Sequence, residues 1–160
     1  CNMRADVLNS NSASYGKLYL DSNIKIVTAT STLEVADSGK IILVNPAANT
    51  TVGLPDVGNV GWNCKIVLSE QAAGADGGMS HIVNIDLGSG ANLANVGMIQ
   101  EVDGTAGDQA VANDDFIVNT ASANPGNTFD IFTDGSRWYV QGVVADLTDS
   151  AFSTGADTIA

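Results

Sequence analysis

Asp37-Ser38-Gly39-Lys40-Ile41-Ile42-Leu43-Val44-Asn45-Pro46 is the stretch that decides the fold. A turn sequence opens it, Asn45-Pro46 closes it, and the apolar run between is rich in β-branched residues, which suit a pleated strand. Successive strand side chains point to opposite faces, so a run that is apolar at every position is apolar on both. That is the pattern of a central strand covered twice. Lys65-Ile66-Val67-Leu68 repeats it.

Working outward, further strands are predicted at 17–20, 23–29, 40–45, 51–54, 64–69, 81–87, 96–102, 116–119, 128–133 and 137–144. Turn residues punctuate them, among them Leu54-Pro55-Asp56, Asp76-Gly77-Gly78, Gly88-Ser89-Gly90, Asp103-Gly104, Asn124-Pro125-Gly126 and Asp134-Gly135. Some strands alternate: Val83, Ile85 and Leu87 oppose Asn84 and Asp86, and Trp138, Val140 and Val144 share a face with Gly142. No capped amphipathic stretch of helical length is present. The expected fold is all-β, an antiparallel sandwich or jelly-roll-like barrel. One domain is expected over 1–160, with 1–14 and 146–160 as extended arms running over neighbouring chains, because their composition is that of loose tails.

The chain has 160 residues, of which 44% are hydrophobic, 15% charged and 6% aromatic. Surface scaling for this size buries about two-thirds of the extended-chain area, enough for one core without a metal or disulfide. Charged residues fall below the roughly 25% of ordinary soluble domains. The formal net charge is −12, carried entirely by residues 66–160: the five basic residues up to Lys65 balance Asp6, Asp21, Glu34, Asp37 and Asp56, whereas Arg137 alone faces thirteen acids beyond. Acidic surface keeps a crowded protein soluble; a sharper reading has the neutral part dock on a partner while the acidic part faces water. So few scattered basic residues exclude a phosphate-neutralising patch and hence nucleic-acid binding. No apolar run has the length of a membrane span.

Chemistry-bearing motifs are scarce. His81 is the only histidine and falls on a predicted strand, where a structural role is expected. Cys64 reads as a small buried hydrophobe, and Cys1 as a processed or trimmed N-terminus, by lipidation after signal cleavage, by simple Met removal or by loss of a leader. No nucleophile elbow, P-loop, dinucleotide fingerprint or Cys-x-x-Cys pair occurs. Glu101, Asp103, Asp108, Asp114 and Asp115 lack the spacing of a calcium loop and are expected to form a solvated acidic face. Asn49-Thr50-Thr51 matches the glycosylation triplet, although a turn before the next strand is its expected role. Trp62, Trp138, Tyr139, Tyr15 and Tyr19 are the candidates for a sugar-stacking platform, the main rival to a structural reading. No catalytic, cofactor-binding or metal-binding residue is assigned, and no enzyme activity is expected.

The ordered set Thr32 to Asn45, Thr51-Val-Gly-Leu54-Pro55 and Gly61-Trp-Asn-Cys-Lys-Ile-Val-Leu68 resembles virion structural proteins of tailed bacteriophages. In that group an Asp-Ser-Gly-Lys turn enters an apolar strand, a short strand ends in Leu-Pro, and a Gly-led strand follows. The segment Phe132-Thr-Asp134-Gly135-Ser-Arg-Trp138-Tyr-Val140-Gln-Gly142 is similar to the group's last strand. The likeness covers about 30–70 and 128–144; the first twenty residues, the acidic middle and the tail do not share it. It implies a β-rich head decoration, or cement, protein on the outer surface of the capsid. Its implied partner is the major capsid protein, and its implied state a homotrimer. A carbohydrate-binding or adhesin-like module of a fibre or tail is the alternative, and a lipid-anchored envelope protein using Cys1 the third.

Overall fold

The computed structural model describes residues 23–70, 78–88, 95–104, 106–110 and 115–154. The expectations for 1–14, 17–20, Cys1, Tyr15, Tyr19, Asp114 and 155–160 concern residues outside them. Twelve strands form among the described residues: β1 (Ile24–Val27), β2 (Ser31–Thr32), β3 (Ile41–Val44), β4 (Thr50–Gly53), β5 (Asn63–Leu68), β6 (Val83–Asp86), β7 (Val96–Glu101), β8 (Gly107–Gln109), β9 (Phe116–Asn119), β10 (Thr128–Thr133), β11 (Trp138–Val144) and β12 (Ser150–Ser153). They build an all-β sandwich. One sheet has the order β1-β3-β5-β10-β11-β7-β8, the other β12-β9-β6-β4-β2.

The pairing differs from the antiparallel expectation, because both sheets are mixed. Strands β1 to β6 alternate between the two sheets, so each strand returns beside its predecessor-but-one running the same way. Hence β1–β3, β3–β5, β2–β4 and β4–β6 are all parallel. Parallel neighbours need a crossover, and here the opposite sheet supplies it in place of a helix. Strand β11 also pairs parallel with β7, while β10 joins β5 to β11 in antiparallel register.

Part of the expected C-terminal arm, 150–153, packs within the chain. Ser150–Ser153 pairs antiparallel with β9 of its own chain, and the Phe152 amide donates to the Asp108 carboxylate at 2.8 Å. Polar composition masked this strand, since what fixes it is a tertiary neighbour. Two other strands, β2 and β8, are too short for periodicity to signal.

The core lies between the sheets. One transverse row of the larger sheet runs Ile42, Ile66, Phe129, Gly142, Ile99, each opposite the next in register. All five are buried. Gly142 is required by close approach: a Cβ there would sit 2.8 Å from Phe129 Cδ1 and 3.0 Å from Ile99 Cγ1. Gly97 does the same for Phe152 of the opposing sheet, whose Cζ would stand 2.7 Å from an added Cβ. Trp62 and Trp138 meet edge-on, 5.5 Å between centroids, at the end of the core.

A buried carboxylate fastens the corner where the chain first turns. Asp37, 4% exposed, closes the 3-10 turn Val35–Asp37 and accepts from the ammonium groups of Lys25 and Lys40 and, at 2.9 Å, from the Glu34 amide. Burial pushes this carboxyl up, but these hydrogen bonds outweigh it and lower it to about 2. Its folded-state value thus lies below the unfolded one, so the stabilisation is complete above about pH 4 and lost as the pH falls through about 2. Asp37→Asn is expected to cost about 1–2 kcal/mol at pH 7, the gap from the unmodified chain closing between pH 4 and pH 2, as read by denaturant melts across that range. Gly142→Ala is expected to cost about 1–3 kcal/mol through overpacking, read as a lowered urea midpoint.

Candidate functional site

The other face of the seven-stranded sheet points away from the core, and register fixes its contents. One level across it runs Ile26, Leu43, Val67, Thr128, Val143; the next runs Ile24, Ile41, Lys65, Asp130, Gln141, Met98; the third runs Asn63, Phe132, Tyr139, Val96. Ile26 is 63% exposed, Phe132 51%, Met98 47%, and Ile24, Val96 and Val143 45% each. Scattered exposed apolar residues are normal, but a contiguous patch marks an interaction surface.

The apolar character comes straight from the strands that decide the fold. β3 is apolar on both sides and β5 is so at 66–68, yet the five-stranded sheet covers only one side: Ile42, Val44, Ile66 and Leu68 have no exposure, while Ile41 is 38% exposed. Among the described residues the double coverage expected from sequence is therefore half supplied. Alternation in β11 sends Trp138, Val140 and Val144 inward as expected, leaving Tyr139, Gln141 and Val143 outside.

Among these outward strand positions the charged side chains are Lys65 and Asp130, which sit opposite each other and bond at 2.9 Å. A face with no net charge thus occupies a chain of net charge −12. It does not follow the division at residue 65, because the sheet order places β10, β11 and β7 beside β1, β3 and β5. Phe132 and Tyr139 stack near one end, 4.9 Å between centroids and 6° from parallel. The Tyr139 hydroxyl donates to Asp134 at 2.8 Å. Hydrogen bonds from the Ser136 amide, the Tyr139 hydroxyl and the Arg137 amide hold the Asp134 carboxyl below the ordinary range, and the bond to Asp134 pushes the phenol up. An open hollow of about 610 Å³ lies beside the stack, with Val96, Met98, Gln109 and Gln141 in its lining.

The other sequence candidates are held elsewhere. Trp62 and Trp138, 2% and 1% exposed, belong to the core and to no sugar platform; Trp62 Nε1 donates to the Glu34 carbonyl. His81 precedes β6 and pairs through Nδ1 with Glu70 Oε1 at 2.7 Å, a contact that binds two connections together. Asn49 accepts from the Ile82 amide at 2.8 Å and aligns β4 with β6, the turn role expected of it. Of the acidic residues, Glu101 accepts from the Leu147 amide and Asp108 from Phe152. No group of three or more His, Cys, Asp or Glu residues able to hold a metal is found among the described residues. A second hollow, about 330 Å³, is lined by Met79, Ser122, Asn124, Asp146 and Asp149. The exposed set Phe132, Met98, Val96 and Val143 was not singled out from sequence, since each belongs to a strand whose partner is fixed only in the fold. The available signal was the two-sided apolar character of 41–44 and 66–68.

No family model matches the chain, and no curated protein matches it. No helix among the described residues is long and apolar enough to cross a membrane.

Cys64, 5% exposed on β5, has its thiol pushed up to about 12, first by burial and then by Asp130 and Asp37. The reactive thiolate is therefore scarce at neutral pH. Iodoacetamide at pH 8 should leave Cys64 unlabelled in the folded protein and label it fully in guanidinium, as read by peptide mass spectrometry.

Proposed function

We propose that this chain is a structural protein of a virion, a decoration or cement protein on the outside of a viral capsid that stabilises contacts between capsomers. The observation that carries the reading is the broad, net-neutral apolar face that the sandwich leaves uncovered. An assembly part uses such a face by burying it against protein, and contacts of this kind, repeated over a shell, add up by multivalency. The resemblance over 30–70 and 128–144 supplies the viral context, with the major capsid protein as partner and the outer capsid surface as location. No enzyme activity, nucleic-acid contact or membrane anchorage enters this reading.

A second reading, a carbohydrate-binding module of a fibre or tail, draws on the Phe132–Tyr139 stack and its neighbouring hollow. Aromatic faces beside amide side chains suit neutral sugars.

Purified particles decide between them. The chain should be present in shell-scale, stoichiometric copy number, and particles stripped of it should lose their contents at a lower temperature, with readdition restoring the original value. A few copies per particle together with specific signals on a glycan array would replace the first reading by the second.

A further inference from the structure

We infer that the outer face of the seven-stranded sheet is covered by the same face of a second copy, related by a two-fold axis running along the strands between β5 and β10. This rests on reading the face as a protein contact and assigns that contact to a second copy, in place of the homotrimer the resemblance implies, so that other surfaces of the pair meet the capsid.

In the order β1-β3-β5-β10-β11-β7-β8 the middle strand is β10, and a line along its border with β5 has three strands on one side and β10, β11 and β7 on the other, with β8 left beyond the overlap. The Lys65–Asp130 pair straddles that line. Rotation about an axis there preserves the level of each residue along the strands, so Lys65 of one copy lies over Asp130 of the other, and the reverse. Four charges of alternating sign then meet at the centre. Outward from it, Leu43 faces Val143 and Ile24 faces Met98 of the opposite copy, apolar against apolar, while Ile41 meets Gln141, Ile26 meets Gln100 and Val67 meets Thr128, each apolar against a side chain with polar and apolar parts. Facing sheets pack about 10 Å apart and rotate by about 30°, which shifts the rim and leaves the centre in register.

Charge argues for the same occupant. Two molecules of net charge −12 repel over most of their surface, and this face is where they can approach without adding like charges. The central ion pairs contribute register and specificity more than affinity. Six overlapping strands at their usual spacing and about five residues deep give a footprint of about 500 Å² in projection, toward the low end of a specific contact. A contact of this size belongs with weak associations, and a Kd of about micromolar is expected. Shell geometry raises local concentration above it.

Charge exchange tests this directly. In sedimentation velocity at about 100 μM the unmodified chain should run at twice the 16.4 kDa chain mass. Lys65→Glu alone gathers four carboxylates at the axis, and Asp130→Lys alone four ammonium groups, so each should weaken self-association at least tenfold. An equimolar mixture of the two variants restores opposite signs across the axis and should recover the dimer, which also shows that both variants fold. A monomeric unmodified chain, a trimer, or a dimer that both single variants leave intact would overturn the proposal, as would a mixture that stays monomeric. These outcomes are separate from the particle measurement: a monomer still present in stoichiometric number on capsids removes the pairing and keeps the decoration function, and a dimer absent from particles does the reverse.

Discussion

Burial of β3 and β5 against the smaller sheet is the contact on which the rest of the molecule depends. Ile42, Val44, Ile66 and Leu68 are fully enclosed by it, and Phe129 and Ile99 extend the same row only because Gly142 leaves room between them. Such rows are worth about 25 cal/mol for each Å² of apolar surface removed from water. The row is also what brings β10 next to β5 and so makes one seven-stranded sheet from strands far apart in the chain.

The same contact creates the open face. Strands apolar on both sides cannot be satisfied by a two-layer sandwich, since one layer covers one side. Ile41 and Leu43 therefore project outward beside Ile24, Ile26 and Val67. Their exposure is a direct cost of the fold that a partner molecule can offset. The Asp37 corner works at the other scale: it fixes how the chain leaves β1 and enters β3, and Lys25 reaches it from the inward side of an edge strand. An inward-pointing charge on such a strand discourages continued strand addition, which favours association through the face over growth along the edge.

Much of the chemistry lies in connections and is structural. Glu70 holds His81, Asn49 holds the start of β6, and Asn127 links Ser150 to the Ala145 amide. The first two tie the connections around the parallel β4–β6 pair, and Asn127 ties the ends of β11 and β12 to the start of β10. Buried polar groups are satisfied in this way where regular pairing stops.

The sequence by itself determined the β class, the location of most strands, and which runs are apolar on both sides, because side-chain alternation and turn residues are local properties of the chain. Strands β9 and β10 fall on the predicted bounds, and burial of Cys64 and Trp138 was legible from their neighbours. Tertiary structure alone decided that consecutive strands alternate between sheets, that pairing is therefore partly parallel, and that β12 packs on β9 in place of reaching outward. It alone placed Lys65 opposite Asp130 near the middle of the larger sheet. Pairing partners are chosen by contacts between residues distant in sequence, and no local pattern encodes which of two apolar faces finds cover.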